Sequence, residues 1–285
     1  MKSPAFKMSR RRFIGGVSLA AAGTAGTFGY AHFFEAERLQ KTFVTVPLSG
    51  GSRPPLKLLH LSDLHASPVV SLEYIGRAVD TALQQKPDLI CVTGDFVTRK
   101  FEQTSAYLRI LDRLPATAPT FACLGNHDGG RWSRENEGYD GLDWIAALLE
   151  KSGIKLLHNE WVRTLVAGRF LNLVGLGDIW AGDLNAQRGF AAKPEGETIL
   201  LSHNPDTKEH ARAFHWNLML SGHTHGGQLR VPWLGATPFA PVQDKRFVAG
   251  LHAWDNRWIH ITKGIGSVFG VRINCPPEVS LLTLT

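Results

Sequence analysis

From residue 56 onward, short apolar runs alternate with longer stretches in which apolar residues recur every three or four positions. LKLLHLS (56–62), PDLICVTG (87–94) and TFACLG (120–125) have the length and continuity of buried strands. Between and after them, 71–86, 102–114 and 140–152 carry the helical period. Strand–helix alternation of this kind predicts an α/β core with parallel strands. Past residue 156 the pattern changes. LHNEWVRTLVAGRFLNLVGLGD (157–178) predicts two strands around the tight AGR turn, and TILLSHNPD (198–206) a strand running into a helix start. WNLMLSGHTHGG (216–227) predicts a strand running into a loop, and NRWIHITKGIG (256–266) and EVSLLTLT (278–285) further β structure. Gly182–Gly196 is the most loop-like stretch, and no internal repeat is present, so one domain is expected over 41–285 behind an N-terminal segment, 1–40.

The residues at the strand ends are more telling than the strands themselves. LKLLHLS leads into Asp63 and His65 (SDLH), DLICVTG into Asp95, TFACLG into Asn126, His127 and Asp128 (GNHD), TILLS into His203, and NLMLSG into His223 and His225 (GHTH). In α/β sheets the loops at the carboxyl ends of strands form the ligand crevice, so five strands deliver polar side chains to one rim. Residues i and i+2 of extended chain point the same way, which suits the D-x-H and H-x-H spacings. Asp63, Asp95 and Asn126 offer oxygen; His65, His203, His223 and His225 offer imidazole nitrogen. A set without thiolate suits Mn, Fe or Zn. Seven donors exceed one tetrahedral site and fit two metals sharing a bridge, with Asp95, the lone acid of its loop, as the bridging group. Two such ions about 3.5–4 Å apart clamp the attacking and leaving oxygens of a phosphoryl displacement. Read singly, Asp63 or Asp95 would pass for an ordinary turn or cap residue; in this ordered set they do not.

Composition narrows the partners. The net charge of +6 suggests nucleic acid, but residues 1–31 contain Lys2, Lys7, Arg10, Arg11 and Arg12 and no acid, which leaves the body near neutrality at +1. The eight tryptophans have no basic run interleaved with them, so a stacking platform for nucleic acid is not expected. SRRRFIGG (9–16) sets consecutive arginines before VSLAAAGTAGTFGYAHFF (17–34), and residues 14–31 carry no charge. That is the layout of a twin-arginine export signal. The run Ile14–Phe34 is 21 residues, close to the ~20 that cross a bilayer, so a retained membrane anchor is the other reading of the same segment. Cys91, Cys123 and Cys275 have no regular spacing; an odd count of this kind is no disulfide framework, and Cys91 and Cys123 read as small buried hydrophobes.

DLH, GD, GNHD, HNPD and GHTHGG, in this order, resemble the calcineurin-like metallophosphoesterases across nearly the whole chain from about residue 56. GHTHGGQLRVP (222–232), PFAPVQDKRFVAGL (238–251) and NCPPEV (274–279), behind the arginine leader, resemble in particular the bacterial phosphodiesterases exported by the twin-arginine route. The resemblance implies two mixed β-sheets packed as a sandwich and flanked by helices. It implies two divalent ions, manganese first and iron or zinc otherwise: one on Asp63, His65, Asp95 and His225, the other on Asp95, Asn126, His203 and His223. His127 would face the substrate and protonate the leaving group or stabilise the oxyanion, and Asp128 would hold its tautomer. The reaction implied is hydrolysis of a small-molecule or lipid phosphodiester by in-line attack of metal-bound hydroxide, on the periplasmic side of the inner membrane after export by the twin-arginine machinery. Two readings stay beside it: a pyrophosphatase acting on a nucleotide-linked lipid precursor, and a non-catalytic metal-binding scaffold. Where many relatives carry another acid after GD, this chain runs GDFVTRK.

The remaining candidates take the blander reading. His32, His60, His158, His210, His215, His252 and His260 lack partners at motif spacing, and His60 alternates out of phase with the site, as a core residue would. Arg99, Arg131, Lys245 and Arg246 read as solvated charges, and Gln228 as an amide standing near the ligands.

Overall fold

Adjacent residues on the central strands face different cores. Leu58 and Leu59, Ile90 and Cys91, Ile199 and Leu200, and Leu218 and Met219 are all fully buried, yet the two members of each pair belong to different apolar clusters. Successive side chains of a strand point to opposite faces, so a sheet covered on both faces needs apolar residues at every position. The unbroken apolar runs of the sequence have this cause. The computed structural model describes residues 29–32, 34–48, 54–230, 237 and 240–285. The arginine motif and the apolar segment as far as residue 28, together with parts of GHTHGGQLRVP and PFAPVQDKRFVAGL, lie outside the described residues.

Two six-stranded sheets carry the pattern. The first runs β1 (Gln40–Val46), β12 (Glu278–Leu284), β2 (Leu56–Leu61), β3 (Leu89–Thr93), β4 (Thr120–Cys123), β5 (Lys155–Leu156). The second runs β10 (Gly250–Trp254), β11 (Arg257–Ile261), β9 (Leu218–Ser221), β8 (Thr198–Leu201), β7 (Arg169–Gly175), β6 (Glu160–Val166). Pairing is parallel except between β12 and β2, β10 and β11, and β6 and β7, so both sheets are mixed, as expected. Leu56, Leu58, Leu89 and Phe121 of one sheet meet Leu171, Leu173, Ile199, Leu201, Leu218 and Leu220 of the other. Helices α1 (Leu72–Leu83), α2 (Thr104–Leu111) and α4 (Asp143–Ser152) cover the outer face of the first sheet with Ile75, Val79, Tyr107, Leu111, Ile145 and Leu149. Burial of each such side chain contributes about 1.5–3 kcal/mol relative to leaving it exposed.

Local chemistry sets several boundaries. The Ser71 hydroxyl accepts from the Tyr74 amide at the start of α1, and Gly153 ends α4 in the left-handed region at φ 80°. The AGR turn joins β6 to β7 through Ala167 and Gly168 at φ 46° and 78°, the two positive angles of a type I′ hairpin. Two short helices were not legible in the sequence, α3 (Gly130–Glu135) and α5 (Ala186–Gly189) inside the expected loop, whereas α6 (Thr207–His210) begins where TILLSHNPD predicts a helix start. Four to six residues are too few to display a 3.6-residue period. For function, what matters is direction: β2, β3, β4, β7, β8 and β9 all run toward one pole, where the polar loops gather.

Candidate metal centre

Backbone pairing continues past the strand ends and locks the loops together. The Asp63 amide donates to Gly94 O (2.9 Å), that of His65 to Asp95 O (2.9 Å) and that of Ala66 to Phe96 O (3.0 Å). The His223 amide donates to the Asp63 carboxylate at 3.2 Å, and the Gly222 amide to His203 O at 3.0 Å. Asp63, His65, Asp95, His223 and His225 take left-handed φ values of 53°, 50°, 54°, 67° and 50°. That region disfavours L-residues by roughly 1–2 kcal/mol each, and such strain persists only where the surroundings over-determine it. The glycines before the ligands are steric necessities: a Cβ on Gly125 would overlap the Asp95 carboxylate, and one on Gly222 would overlap Ser62 and Asp63.

Three overlapping groups of ligand atoms result, each with all its atoms within 4.8 Å: Asp63–His65–His225, Asp63–Asp95–His203 and His65–Asp95–His127. His225 Nε2 lies 3.2 Å from Asp63 Oδ1 and 3.1 Å from His65 Nε2. Asp95 Oδ2 lies 3.1 Å from His203 Nε2, 3.5 Å from His65 Nε2 and 4.0 Å from His127 Nε2. Asn126, His127, His223 and His225 line the same cleft as Asp95. Asn126 Oδ1 and His223 Nε2 are buried with no hydrogen-bond partner among the described residues. Leaving a buried polar atom unpaired costs about 1–3 kcal/mol, and a cation at Asp95 would satisfy both. The residues therefore fit a dinuclear metal site centred on Asp95.

Outer partners fix the ring tautomers. His203 Nδ1 donates to Thr93 O (2.7 Å) and His127 Nδ1 to Thr98 O (2.8 Å), which leaves each Nε2 facing the cleft. Thr98 Oγ1 donates to His65 O (3.2 Å) and lies 3.3 Å from His65 Nδ1. Thr98, three residues after Asp95, thus supplies support in the loop that lacks the extra acid. The expectation for Asp128 is corrected. Its carboxylate does not hold the His127 ring; it accepts from the amides of Asp95 (2.8 Å), Phe96 (2.7 Å), Val97 (3.4 Å) and Gly125 (2.9 Å). The GNHD loop turns back on itself through an Asp128 N to Gly125 O hydrogen bond, which aims the carboxylate at the GD loop. Asp128 shapes the Asp95 loop.

Burial sets the charge of the imidazoles. It lowers His223 to about 3 and His225 to about 4 and drives His65 down as well, so all three are neutral and able to ligate. Burial pulls on His203 too, but the Asp95 carboxylate more than offsets it and the ring is raised. Asp95 is held well below 3.8 against its own burial by His203 and His127. Without metal the two form an ion pair, and a cation held by both would take the place of the His203 proton.

The cleft, about 570 Å³, is walled by residues the motifs did not indicate. Trp132 packs on His127 (ring centroids 4.1 Å apart) and Trp180 on His223 (4.4 Å). Arg272, fully buried, places Nη2 3.5 Å from His225 Nδ1 and donates to the carbonyls of Lys263, Gly264 and Gly266. Asp178 ends β7 as the sequence GLGD, the same strand-end signature as Asp95, and would have been found by it. Its Oδ1 accepts from Trp180 N (2.7 Å) and Ala181 N (3.1 Å), while burial raises the carboxyl to about 6. His60 is core, as expected: fully buried, it meets His260 Nδ1 at 2.9 Å and Thr93 Oγ1 at 2.8 Å. Arg99 lines the cleft but pairs with Glu137 at 2.6 Å, and Gln228 lines it with its backbone amide bonded to His225 O.

The calcineurin-like phosphoesterase sequence pattern matches residues 56–227. The chain is 42% identical to phosphodiesterase YaeI of Escherichia coli (strain K12), over 97% of this chain and 99% of that protein. It is 29% identical to the uncharacterized metallophosphoesterase YkuE of Bacillus subtilis (strain 168), over 98% of each. It is 27% identical to the UDP-2,3-diacylglucosamine pyrophosphatase LpxG of Chlamydia trachomatis serovar D, over 80% of this chain and 83% of that protein.

Proposed function

This chain belongs to the calcineurin-like phosphoesterases, and from that premise we propose that it is a phosphodiesterase working with two divalent ions that share Asp95. The observation that carries the reading is the meeting of two ligand sets at one carboxylate, with Asn126 Oδ1 and His223 Nε2 buried and unpartnered beside it. Asp63, His65, Asp95 and His225 would hold one ion; Asp95, Asn126, His203 and His223 the other. Such a pair polarises phosphoryl oxygens and acidifies a water. Manganese suits a set of oxygen and nitrogen donors without thiolate.

The protein's own groups supply positioning and a proton. The His127 ring, fixed by Nδ1–H on the Thr98 carbonyl, turns Nε2 toward Asp95 and the cleft; a proton taken up at Nε2 can pass to the departing alkoxide, and burial, which lowers this ring, favours its release. Trp132 and Trp180 line the cleft and pack against His127 and His223, which holds those rings in place. Preference for diesters is supported by 42% identity to a protein named as a phosphodiesterase. Export by the twin-arginine route to the periplasmic side is supported by SRRRFIG and the uncharged stretch after it.

The test uses the full chain, stripped of metal and resupplied with Mn²⁺, on bis(p-nitrophenyl) phosphate and p-nitrophenyl phosphate. Metal-dependent diester turnover well above monoester turnover is the expected result. Comparable monoester turnover would make it a general phosphatase. Turnover confined to a nucleotide-linked pyrophosphate would favour the pyrophosphatase. Two bound metals with no turnover of any of these would leave the scaffold.

A further inference from the structure

Tyr30, Phe34, Val69 and Phe269 are large apolar side chains exposed by 49, 68, 50 and 73%. They sit together although the chain separates them by up to 239 positions. The Tyr30 and Phe34 rings stack at 6.2 Å, His32 Nδ1 lies 2.7 Å from Gly270 O, and the Arg272 amide donates to Ala31 O. A Cβ on Gly270 would touch both Val69 and His32. Val268 and Phe269 also line the metal cleft, and Trp180, itself 39% exposed, stands on the cleft wall. An apolar patch of this kind, set beside a polar site, marks an interaction surface.

The sequence leading into the patch identifies what covers it. Residues 14–28 contain no charged side chain, and Lys2, Lys7, Arg10, Arg11 and Arg12 precede them. The apolar run from Ile14 continues without a charge into Tyr30 and on to Phe34, so membrane-length apolar sequence ends on the patch itself. Cations clustered at the far end of such a run suit anionic headgroups, and aromatic residues at its near end suit the interfacial zone. A soluble protein partner explains the patch but not the uncharged run that enters it.

We propose that this face of the domain rests on a lipid bilayer, with the metal cleft opening onto the headgroups, and that the substrate is a phosphodiester within a membrane lipid headgroup. The membrane half stands on the patch and the apolar run; the substrate half rests on the phosphodiesterase reading. Leu165 and Phe170, also exposed, flank the hairpin turn at the start of β7, the pole opposite the cleft, and so provide a control surface.

The full chain is reconstituted into phosphatidylethanolamine–phosphatidylglycerol vesicles containing doxyl-labelled lipid. A single environment-sensitive fluorophore is attached at Val69→Cys or at Phe170→Cys; the three native cysteines are buried and stay unlabelled in the folded protein. Blue-shifted emission and strong quenching at position 69, with neither at 170, is the expected result. Equal quenching at both positions, quenching at 170 alone or none at either overturns the membrane face. Failure to bind vesicles together with concentration-dependent self-association overturns it in favour of a second copy of the chain. Turnover of the soluble diester by the same labelled proteins reports separately on the phosphodiesterase reading. In the double variant Phe34→Ser, Val69→Ser, phosphatidylglycerol hydrolysis in vesicles should fall about tenfold as the patch loses apolar area, with soluble-diester turnover unchanged. Parallel loss of both activities, or of neither, overturns the substrate half.

Discussion

Replacing Thr98 with valine removes one oxygen from behind the metal site and leaves the backbone in place. Thr98 is buried, and its hydroxyl makes two contacts with His65: it donates to the carbonyl at 3.2 Å, and its lone pair faces Nδ1 at 3.3 Å. With the hydroxyl hydrogen committed to the carbonyl, Oγ1 can only accept from Nδ1–H. That assignment keeps Nε2 bare, facing Asp95 Oδ2 at 3.5 Å and His225 Nε2 at 3.1 Å. Valine has the shape of threonine but cannot accept, so either Nδ1–H stays buried and unpaired or the proton moves to Nε2 and blocks the metal. An unpaired buried donor costs about 1–3 kcal/mol, which at about 1.4 kcal/mol per decade is roughly 5- to 150-fold in affinity. Loss of an outer partner of a metal-binding histidine falls in the same range, about 10–100-fold. Calorimetric titration of the metal-stripped full chain with Mn²⁺ should therefore show one of the two sites weakened by about 10–100-fold. The rate at saturating metal should change little, because the carbonyl that holds His127 survives in valine. Thr98→Ser should restore the affinity. Wild-type affinity in Thr98→Val would show that Oγ1 does not govern His65; equal loss in Thr98→Ser would assign the effect to the methyl group.

The same geometry sets further expectations. His127→Ala should cut diester turnover by ~10²–10⁴-fold, the range of a general acid–base group, while calorimetry still finds two metals; Asp95→Asn should lose both turnover and binding at both sites. Asp128→Asn turns an amide group toward backbone donors that now meet a carboxylate, and should lower unfolding free energy by about 1–3 kcal/mol, read by denaturant titration. Metal binding should release a proton from His203, so affinity rises with pH, measurable by calorimetry in buffers of different ionisation enthalpy. The raised His203 contributes stability to the metal-free protein that is complete below 6.5 and lost as pH rises through its folded value; the lowered Asp95 contributes stability that is complete above 3.8 and lost below it. The loss of the His203 contribution on raising the pH should disappear when Mn²⁺ is present, read as the melting temperatures of metal-free and metal-loaded protein compared at each pH.

The metal site was legible because strand ends are local features. A continuous apolar run ending in glycine and a carboxylate or imidazole is visible within ten residues, and the parallel α/β rule places all such ends at one pole. Asp63, His65, Asp95, Asn126, His203, His223 and His225 are all reached in this way, and the structure brings them to one cleft or its wall. Double-sided covering likewise explains why LKLLHL and LICVT carry no alternation.

Other features depend on neighbours that no local pattern reveals. Asp128 stands next to His127 in sequence, yet the turn of its loop aims it at amides 31–33 residues away, and the ring is held instead by a carbonyl at Thr98. Trp132, on the six-residue α3, and Trp180 and Arg272, on loops, reach the ligands from segments that carry no periodic signal. The insertion of β12 between β1 and β2, which carries the 264–275 loop and its exposed Phe269 against the N-terminal segment, is a long-range pairing. The sequence by itself determined the alternation of strands and helices, the pole of the site and the candidate ligands gathered there, because those arise from side-chain periodicity and donor chemistry. Tertiary structure alone decided which atom fixes each imidazole, which walls enclose the cleft and which apolar residues remain outside the core, because these depend on distances between segments up to 240 residues apart.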